Sequence, residues 1–247
     1  MSAVELSTPV ARVQALWVYL GATPLLWLLL TLGAYVLALR LQRRLGGSPW
    51  ANPVLLSVAG LVALLSLTGT PYASYFDGAQ FVHFLLGTAT VALAIPLRRQ
   101  WAEVKATLGP AALTLLAGNV VGAAVAMGVL RAAGAPRELI ASIAPRGVTA
   151  PVAMAVAERI GGLPSLTAVL VIASGILGAT MATPLLNALR IHDWAARGLA
   201  VGMAAHGIGT ARAFQVNVVA GSFAGAAMAV STLLTSALVP WLLPLFT

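Results

Sequence analysis

The sequence predicts an all-α polytopic membrane protein with about seven to eight transmembrane or re-entrant helical elements, and three observations predict it. Hydrophobic residues make up 60% of the 247-residue chain and charged residues only 8%, where a soluble domain carries about a quarter charged residues. With a mean hydropathy of +0.96, too little polar surface is left to cover a water-soluble globule. The charges fall in short clusters between apolar runs, several of them of spanning length, and helices are what such runs form because every backbone polar group must be paired inside hydrocarbon. Lastly, some runs are broken by glycine, proline and ionisable residues at spacings too short to cross.

About 20 apolar residues of helix cross a bilayer core, and that length orders the chain. The opening "MSAVELSTPVARVQ" lacks a basic region directly before a short apolar stretch and an evident cleavage site, so the first apolar run is expected to be a retained span rather than a signal peptide. Val13 to Leu39 is uncharged and closes on Arg40, Arg43 and Arg44, a span with a basic anchor. "GGSPWANP" is a loop or helix start before a second span, Val54 to Leu67. "TGTPYASYFDG", rich in turn residues and free of Lys and Arg, reads as an external loop. Ala79 to Gln100 has spanning length but is interrupted by Gly87, Thr88, Thr90 and Pro96, and Arg98, Arg99 and Lys105 place its end inside.

Ala106 to Leu130 is another uncharged span, and "RAAGAPRELIASIAPR" reads as a short interfacial helix between loops. Gly147 to Ala157 stops at Glu158 and Arg159, too short to span, and reads as a half-helix or part of a broken span. Ile160 to Leu189 is a full span, Gly198 to Ala211 is short again, and Ala213 to Thr247 supplies the remainder and a last span. Sliding the sequence by about 60 residues brings Gly147 onto Gly207, Gly161 onto Gly221 and Pro184 onto Pro244. Two interrupted segments in corresponding positions point to inverted repeats with two broken helices and a binding site between them.

The two interrupted segments carry the candidate chemistry. In "APRGVTAPVAM", Pro145 and Pro151 each remove a backbone donor and disfavour helix in the residue before them, so Arg146 to Ala150 is expected to be unwound. N–H groups around Gly147, Val148 and Thr149, opening the next half-helix, suit a carboxylate. A proline-kinked loop with Arg146 snorkelling to the interface fits the same residues. In "AAHGIGTARAF", Gly207 and Gly209 flank Ile208 as a second helix break, Thr210 adds a hydroxyl, His206 a titratable ring and Arg212 a fixed cation. Ionisable residues at membrane depth mark functional sites, although a small-residue packing face through Gly198, Gly202, Gly207 and Gly209 is the competing reading. Thr88 and Thr90, with Pro96 as a further break, are a third candidate, against which stands the habit of membrane threonines to bond their own backbone. Asn52, Asn119 and His83 read as structural.

Other classes are disfavoured by what the chain lacks. The net charge of +8 sits in clusters between apolar runs, which suits membrane orientation rather than nucleic acid. There is no cysteine, and none of the HExxH, Walker A or GxSxG patterns occurs. All six acidic residues lie at the N-terminus, in loops or at segment ends, so no metal, no cofactor and no enzymatic chemistry are expected.

The run "APRGVTAPVAMAVAERIGGLPSLTAVLVIASGILGATMATPLL", followed by "RIHDWAARGLAVGMAAHGIGTARAF", closely resembles the LrgB/CidB family of bacterial membrane proteins, and "NPVLLS" and "GTATVALAIPLRRQ" match further upstream. The resemblance covers the chain from about Leu28 onward. One motif departs from it: the family pattern P-K-S-V-T-T-P-I-A-M stands here as Pro145 to Met154, with Gly147 and Ala150 in place of a serine and a threonine. The resemblance implies functions that composition does not reach. These proteins were named as antiholin-like regulators of murein hydrolase export and lysis, a plastid relative with an LrgB-like part is a glycolate/glycerate transporter, and bacterial pairs are implicated in pyruvate transport.

The expected function is thus a proton-coupled secondary transporter of small monocarboxylates, such as glycolate, glycerate, pyruvate or lactate, across the cytoplasmic (inner) membrane. Thr149 and the N–H groups near it, with those of Gly207 to Thr210, would hold the carboxylate, and Arg146 and Arg212 would supply positive field. His206 would carry the proton, since an unperturbed imidazole titrates near pH 6.5. The chain is expected to be a single membrane domain over 1–247 and to form a homodimer. Spans of about 13–75 would serve as scaffold, and about 79–247 would contain the broken elements that move elevator-fashion. The alternative is an antiholin-like or holin-like protein that regulates murein hydrolase activity and cell lysis by oligomerising with an LrgA/CidA-type membrane partner.

Overall fold

The computed structural model describes residues 23–48, 50–92 and 94–247, and every regular element among them is helical. Contacts cluster into two units, Met1–Ala92 and Leu93–Thr247. Among the described residues four helices are long and apolar enough to cross a membrane: Pro24–Arg44, Leu108–Ala132, Pro164–Ala188 and Val218–Leu245. The first part of the expected opening span, up to residue 22, lies outside the described residues.

In the first unit, α1 (Pro24–Arg44) packs on α2 (Pro53–Thr68) and α3 (Tyr72–Ala92). Asn52, read from sequence as structural, caps α2: its Oδ1 accepts from the Val54 and Leu55 N–H groups at 2.9 and 3.3 Å, a bond type that stabilises a helix start by about 1 kcal/mol. Gly69 ends α2 at φ 64°. With 16 residues, α2 is about 24 Å long, shorter than the hydrocarbon core. Of the stretch expected to be an external loop, residues 69–71 link two helices, and the rest forms the first two turns of α3, where Tyr75 meets buried Trp27 edge-on with ring centroids 6.1 Å apart. Turn residues misled because Pro71 immediately precedes the helix, where its fixed φ favours a start as readily as a turn. The outward faces of α1 and α2, including Leu25, Leu29, Leu37 and Leu67, are apolar and exposed, as a lipid-facing surface requires.

The second unit begins with two short helices, α4 (Ala94–Arg99) and α5 (Trp101–Ala106), followed by the long α6 (Leu108–Ala132). Helices α7 (Arg137–Ile143) and α8 (Ala150–Arg159) come next, then α9 (Pro164–Ala188), α10 (Trp194–Val216) and α11 (Val218–Leu242) with a 3₁₀ turn over Leu243–Leu245. The segment read as an interfacial helix, α7, is buried: Ile140 and Ala141 pack with Ala123, Met127, Val156 and Val239. It forms one arm of a helical hairpin whose returning arm is α8.

A second hairpin is contained in α10. His206 adopts φ 40° and ψ −131° in the middle of it, and the chain reverses there. A Cβ on Gly209 would touch Val201 and Ala205, and Arg212 and Ala213 share a small gap with Trp194 and Arg197. Residues that a straight helix would hold far apart are therefore side by side. The arms before and after the reversal, Trp194–Ala205 and Gly207–Val216, are antiparallel. The break falls on His206 and not on Gly207 or Gly209, which are helical; Pro151 sits in the first turn of α8 and Pro96 inside α4, so of the prolines expected to break helices Pro145 alone lies in the turn between two of them.

Along α9 the two hairpins meet. Thr167 donates to the Ser142 carbonyl near one end of α9, Leu186 packs with Val201 and Ala213 near the other, and the hairpin tips reach Val171, Ser174 and Gly175 in its middle. The hairpins thus enter from opposite ends of a helix about 37 Å long. A shift of about 60 residues aligns their tips but not the helices that follow, because Ile160–Leu163 separates α8 from α9 while Asn217 alone separates α10 from α11.

Close approach along α10 and α11 depends on small residues, the usual means of packing helices in lipid. A Cβ on Gly198 would overlap the Ala220 carbonyl and one on Gly202 the Ala224 carbonyl, both backbone atoms that cannot give way. Gly202→Val is expected to lower stability by about 1–3 kcal/mol, seen as a drop of several degrees in the thermal midpoint in detergent. Gly60→Ala, which meets nothing within 4 Å, should leave the midpoint unchanged or slightly raised.

Candidate functional site

The tip of the first hairpin runs from Ala144 to Thr149. Pro145 begins the turn, and short-range bonds from Arg146 N–H to the Ile143 carbonyl and from Val148 N–H to the Pro145 carbonyl hold it. Val148 is fully buried against Ala153 and Val171, which pins the tip to α9. The Ser174 hydroxyl of α9 lies 3.2 Å from the Arg146 carbonyl and 2.9 Å from the Val171 carbonyl of its own helix, so its one hydrogen is shared between them. Thr149 is the N-cap of α8, in extended conformation and without a side-chain cap bond. The Arg146 guanidinium lies beside α6, with Nη2 donating to the Gly122 carbonyl at 3.3 Å.

The tip of the second hairpin turns on a residue in a conformation that costs about 1–3 kcal/mol outside glycine. Two hydrogen bonds hold His206 there. Its Nε2 lies 3.0 Å from the Val171 carbonyl; a carbonyl only accepts, so Nε2 carries the hydrogen. Thr210 donates its hydroxyl to the His206 carbonyl at 2.8 Å. The ring also lies close over Gly175, where a Cβ would collide with it. His206 is 4% exposed, and its ring faces α9.

Between the tips is a cavity of about 330 Å³, within the range of small-molecule sites. The first hairpin contributes Ala144, Arg146 and Gly147, the second Met203 and Ala204, α6 contributes Gly118, Asn119 and Gly122, and α11 contributes Thr235. The tips touch: a Cβ on Gly147 would lie 3.5 Å from the Met203 carbonyl. The Met203 thioether covers Gly118, so a flexible side chain forms one wall. Arg146 is the one charged residue in that lining, and no acidic residue joins it.

Of the residues singled out from sequence, Arg146 and Gly147 line this cavity. Thr149 and Val148 sit in the turn behind them, and His206 faces α9 rather than the cavity. Gly207, Ile208, Gly209 and Thr210 form the first turn of the returning arm, with Ile208 directed at Gly175 and Gly209 against Val201. Arg212 is further along, where Nη1 donates to Gln215 Oε1 at 3.3 Å and the side chain borders a gap of about 30 Å³ with Trp194 and Arg197. Thr88 belongs to the first unit, on an exposed face of α3, and donates to the Leu85 carbonyl. Thr90 also lies in α3, with its side chain outside what is described.

The lining residues that sequence did not mark as site residues include Met203, Thr235 and Asn119. The clue to Asn119 was available, the one amide in a 25-residue helix whose other polar side chains are Thr114 and Arg131. Thr235 was hidden by its neighbours. Thr232 and Ser236 donate to carbonyls one turn back, whereas Thr235 donates across to Asn119 Oδ1 at 3.0 Å.

Comparison with known proteins places this geometry in context. The model of the LrgB-like family matches residues 31–245 and so includes both hairpins and the cavity. The Holin-like protein CidB of Staphylococcus aureus (strain Mu50) is 30% identical over 222 residues, covering 90% of this chain and 96% of the relative. Two Bacillus subtilis (strain 168) proteins are similar to a like degree: YxaC, 34% identical over 87% of this chain and 94% of the relative, and YwbG, 35% identical over 78% and 86%. No solved structure matches the chain.

The geometry of the second tip makes a stability prediction. His206→Ala keeps the backbone strain and loses the bond to Val171, whereas His206→Gly loses the same bond but relieves the strain. The thermal midpoint in detergent should fall for His206→Ala, by an amount corresponding to about 1–3 kcal/mol, and His206→Gly should melt above His206→Ala.

Proposed function

The chain belongs to the LrgB-like family of membrane proteins, and from that premise we propose that it carries small monocarboxylates across the cytoplasmic membrane. The observation that supports this most is the cavity between two opposed hairpin tips, lined by one cation and no acid. Non-helical backbone at membrane depth is tolerated where it lines a cavity or is buried in protein, and transporters place binding sites at such breaks. Arg146 attracts the carboxylate, and the opening turn of α8 at Thr149 adds the positive end of a helix dipole.

The proposal includes proton coupling at His206 and a homodimer in which residues 93–247 move as a body, carrying the cavity from one membrane face to the other. Protonation of His206 adds a hydrogen at Nδ1 and leaves the Nε2–H bond to Val171 intact, so the tip keeps its anchor in both charge states.

A second reading has its own support. The relatives named Holin-like protein CidB match nearly the whole chain, and their names favour a holin-like or antiholin-like role more directly than transport. In that reading the chain regulates murein hydrolase activity and lysis by assembling with an LrgA/CidA-type partner, and polarity at the hairpin tips is dispensable.

Purified protein in proteoliposomes separates the two. Labelled glycolate, glycerate or pyruvate should accumulate above the level of empty liposomes under an imposed pH gradient. Arg146→Gln should cut the initial rate about tenfold or more, and Thr149→Val and His206→Gln should also reduce it while the protein still inserts. Uptake equal to empty liposomes at every gradient would reject the transport reading. Uptake unaffected by all three substitutions would reject the site.

A further inference from the structure

The wall of the cavity opposite the hairpins has a hydrogen-bonding polarity that transport alone does not account for. Asn119 Nδ2 lies 2.7 Å from the Leu115 carbonyl and 3.0 Å from Ser231 Oγ. The Leu115 carbonyl can only accept, which fixes the amide with its nitrogen on that side, and the two bonds occupy both amide hydrogens. Thr235 Oγ1 donates its single hydrogen to Asn119 Oδ1 at 3.0 Å. The donors of this pair are therefore spent, and what Asn119 and Thr235 have left to offer the cavity is lone pairs. Thr235 is 5% exposed, so the network is held inside the protein.

We propose that Thr235, oriented by Asn119, is a specificity-determining residue of the cavity that accepts the proton of a ligand hydroxyl, so that hydroxy-monocarboxylates bind in preference to their 2-oxo counterparts. The proposal rests on the monocarboxylate reading of the same cavity. Arg146 sets the other end: its Nη2 bonds to the carbonyl of Gly122, three residues and so about 4.5 Å along α6 from Asn119. That bond uses one of five guanidinium hydrogens and leaves others for a carboxylate. An anion held at Arg146 then places the substituent on its second carbon beside Thr235. A hydroxyl there donates into the free lone pairs. A carbonyl meets acceptors, and can be satisfied only if the Thr235 hydroxyl rotates away from Asn119 Oδ1 and leaves that buried oxygen unpaired, a penalty that corresponds to about tenfold weaker binding.

Lactate and pyruvate differ in this one group and are the probes. The readouts are thermal stabilisation of the full-length protein in detergent across a titration of each anion, which reports affinity without requiring transport, and competition of each against labelled glycolate uptake in proteoliposomes. Wild type should bind lactate about tenfold more tightly than pyruvate. Thr235→Val should bring the ratio close to one, chiefly by weakening lactate, and Thr235→Ser should restore it. If Thr235→Val does not insert, Thr235→Cys keeps a weak donor toward Asn119 with a poor acceptor and should also lose the preference. Equal binding of the two anions by wild type, or a preference unchanged in both the valine and cysteine variants, overturns this proposal and leaves the carboxylate site standing. Absence of stabilisation or uptake with any monocarboxylate overturns the reading beneath it as well.

Discussion

Everything distinctive in the second unit depends on the middle of α9 anchoring two stretches of chain that have left the helix. In hydrocarbon an unpaired N–H or carbonyl costs several kcal/mol, so a break at mid-depth survives only where protein stands in for water. The Thr210 hydroxyl does this for the His206 carbonyl, while Val171 and Ser174 of α9 anchor the two tips. The Val171 carbonyl receives the His206 ring, and the Ser174 hydroxyl serves the Arg146 carbonyl. One turn of one helix therefore holds both reversals and brings them face to face. The cavity is what remains between them once both are fixed.

Packing does the rest, through residues chosen for smallness rather than polarity. Gly202 lets the entering arm of α10 lie on the backbone of α11, Gly178 admits Ala205 against α9, and Gly162 lets the base of the first hairpin close over Ser142. None of these contacts would survive a side chain, since the obstacles are largely backbone atoms or the first carbon of a neighbour. Polar groups inside the unit are correspondingly few, and they bond across helices: Thr167 to the Ser142 carbonyl, and Asn119 to Ser231 and Thr235. Hydrogen bonds of this kind fix register between helices that hydrocarbon surroundings would otherwise leave free to slide.

The helices were legible because span length and charge placement obey the bilayer. Ala106 to Leu130 and Ile160 to Leu189 match α6 and α9 to within a few residues. Pro145 marked the first tip, since a missing donor and a blocked ψ announce themselves. The second tip was placed one residue late. Glycine was expected to take the left-handed turn, yet His206 takes it, stabilised by a side-chain bond that only tertiary structure reveals, while Gly209 is used for contact with Val201. Tertiary structure likewise decided the direction of each arm, because a short apolar segment has the same composition whether it crosses or turns back. Asn119 was read as an isolated amide, and its importance comes from α11, more than 100 residues away in sequence.

The proposed site exists only if the two hairpin tips face each other across one cavity. The chain has no cysteine, so a paired-cysteine experiment needs no background removal. Gly147→Cys and Met203→Cys, introduced together, should be joined by a short thiol-specific crosslinker within a single chain in native membranes, and saturating hydroxy-monocarboxylate should slow the reaction by filling the space between them. Failure of this pair to crosslink, while Leu186→Cys joins Val201→Cys readily, would contradict opposed tips and with them the site.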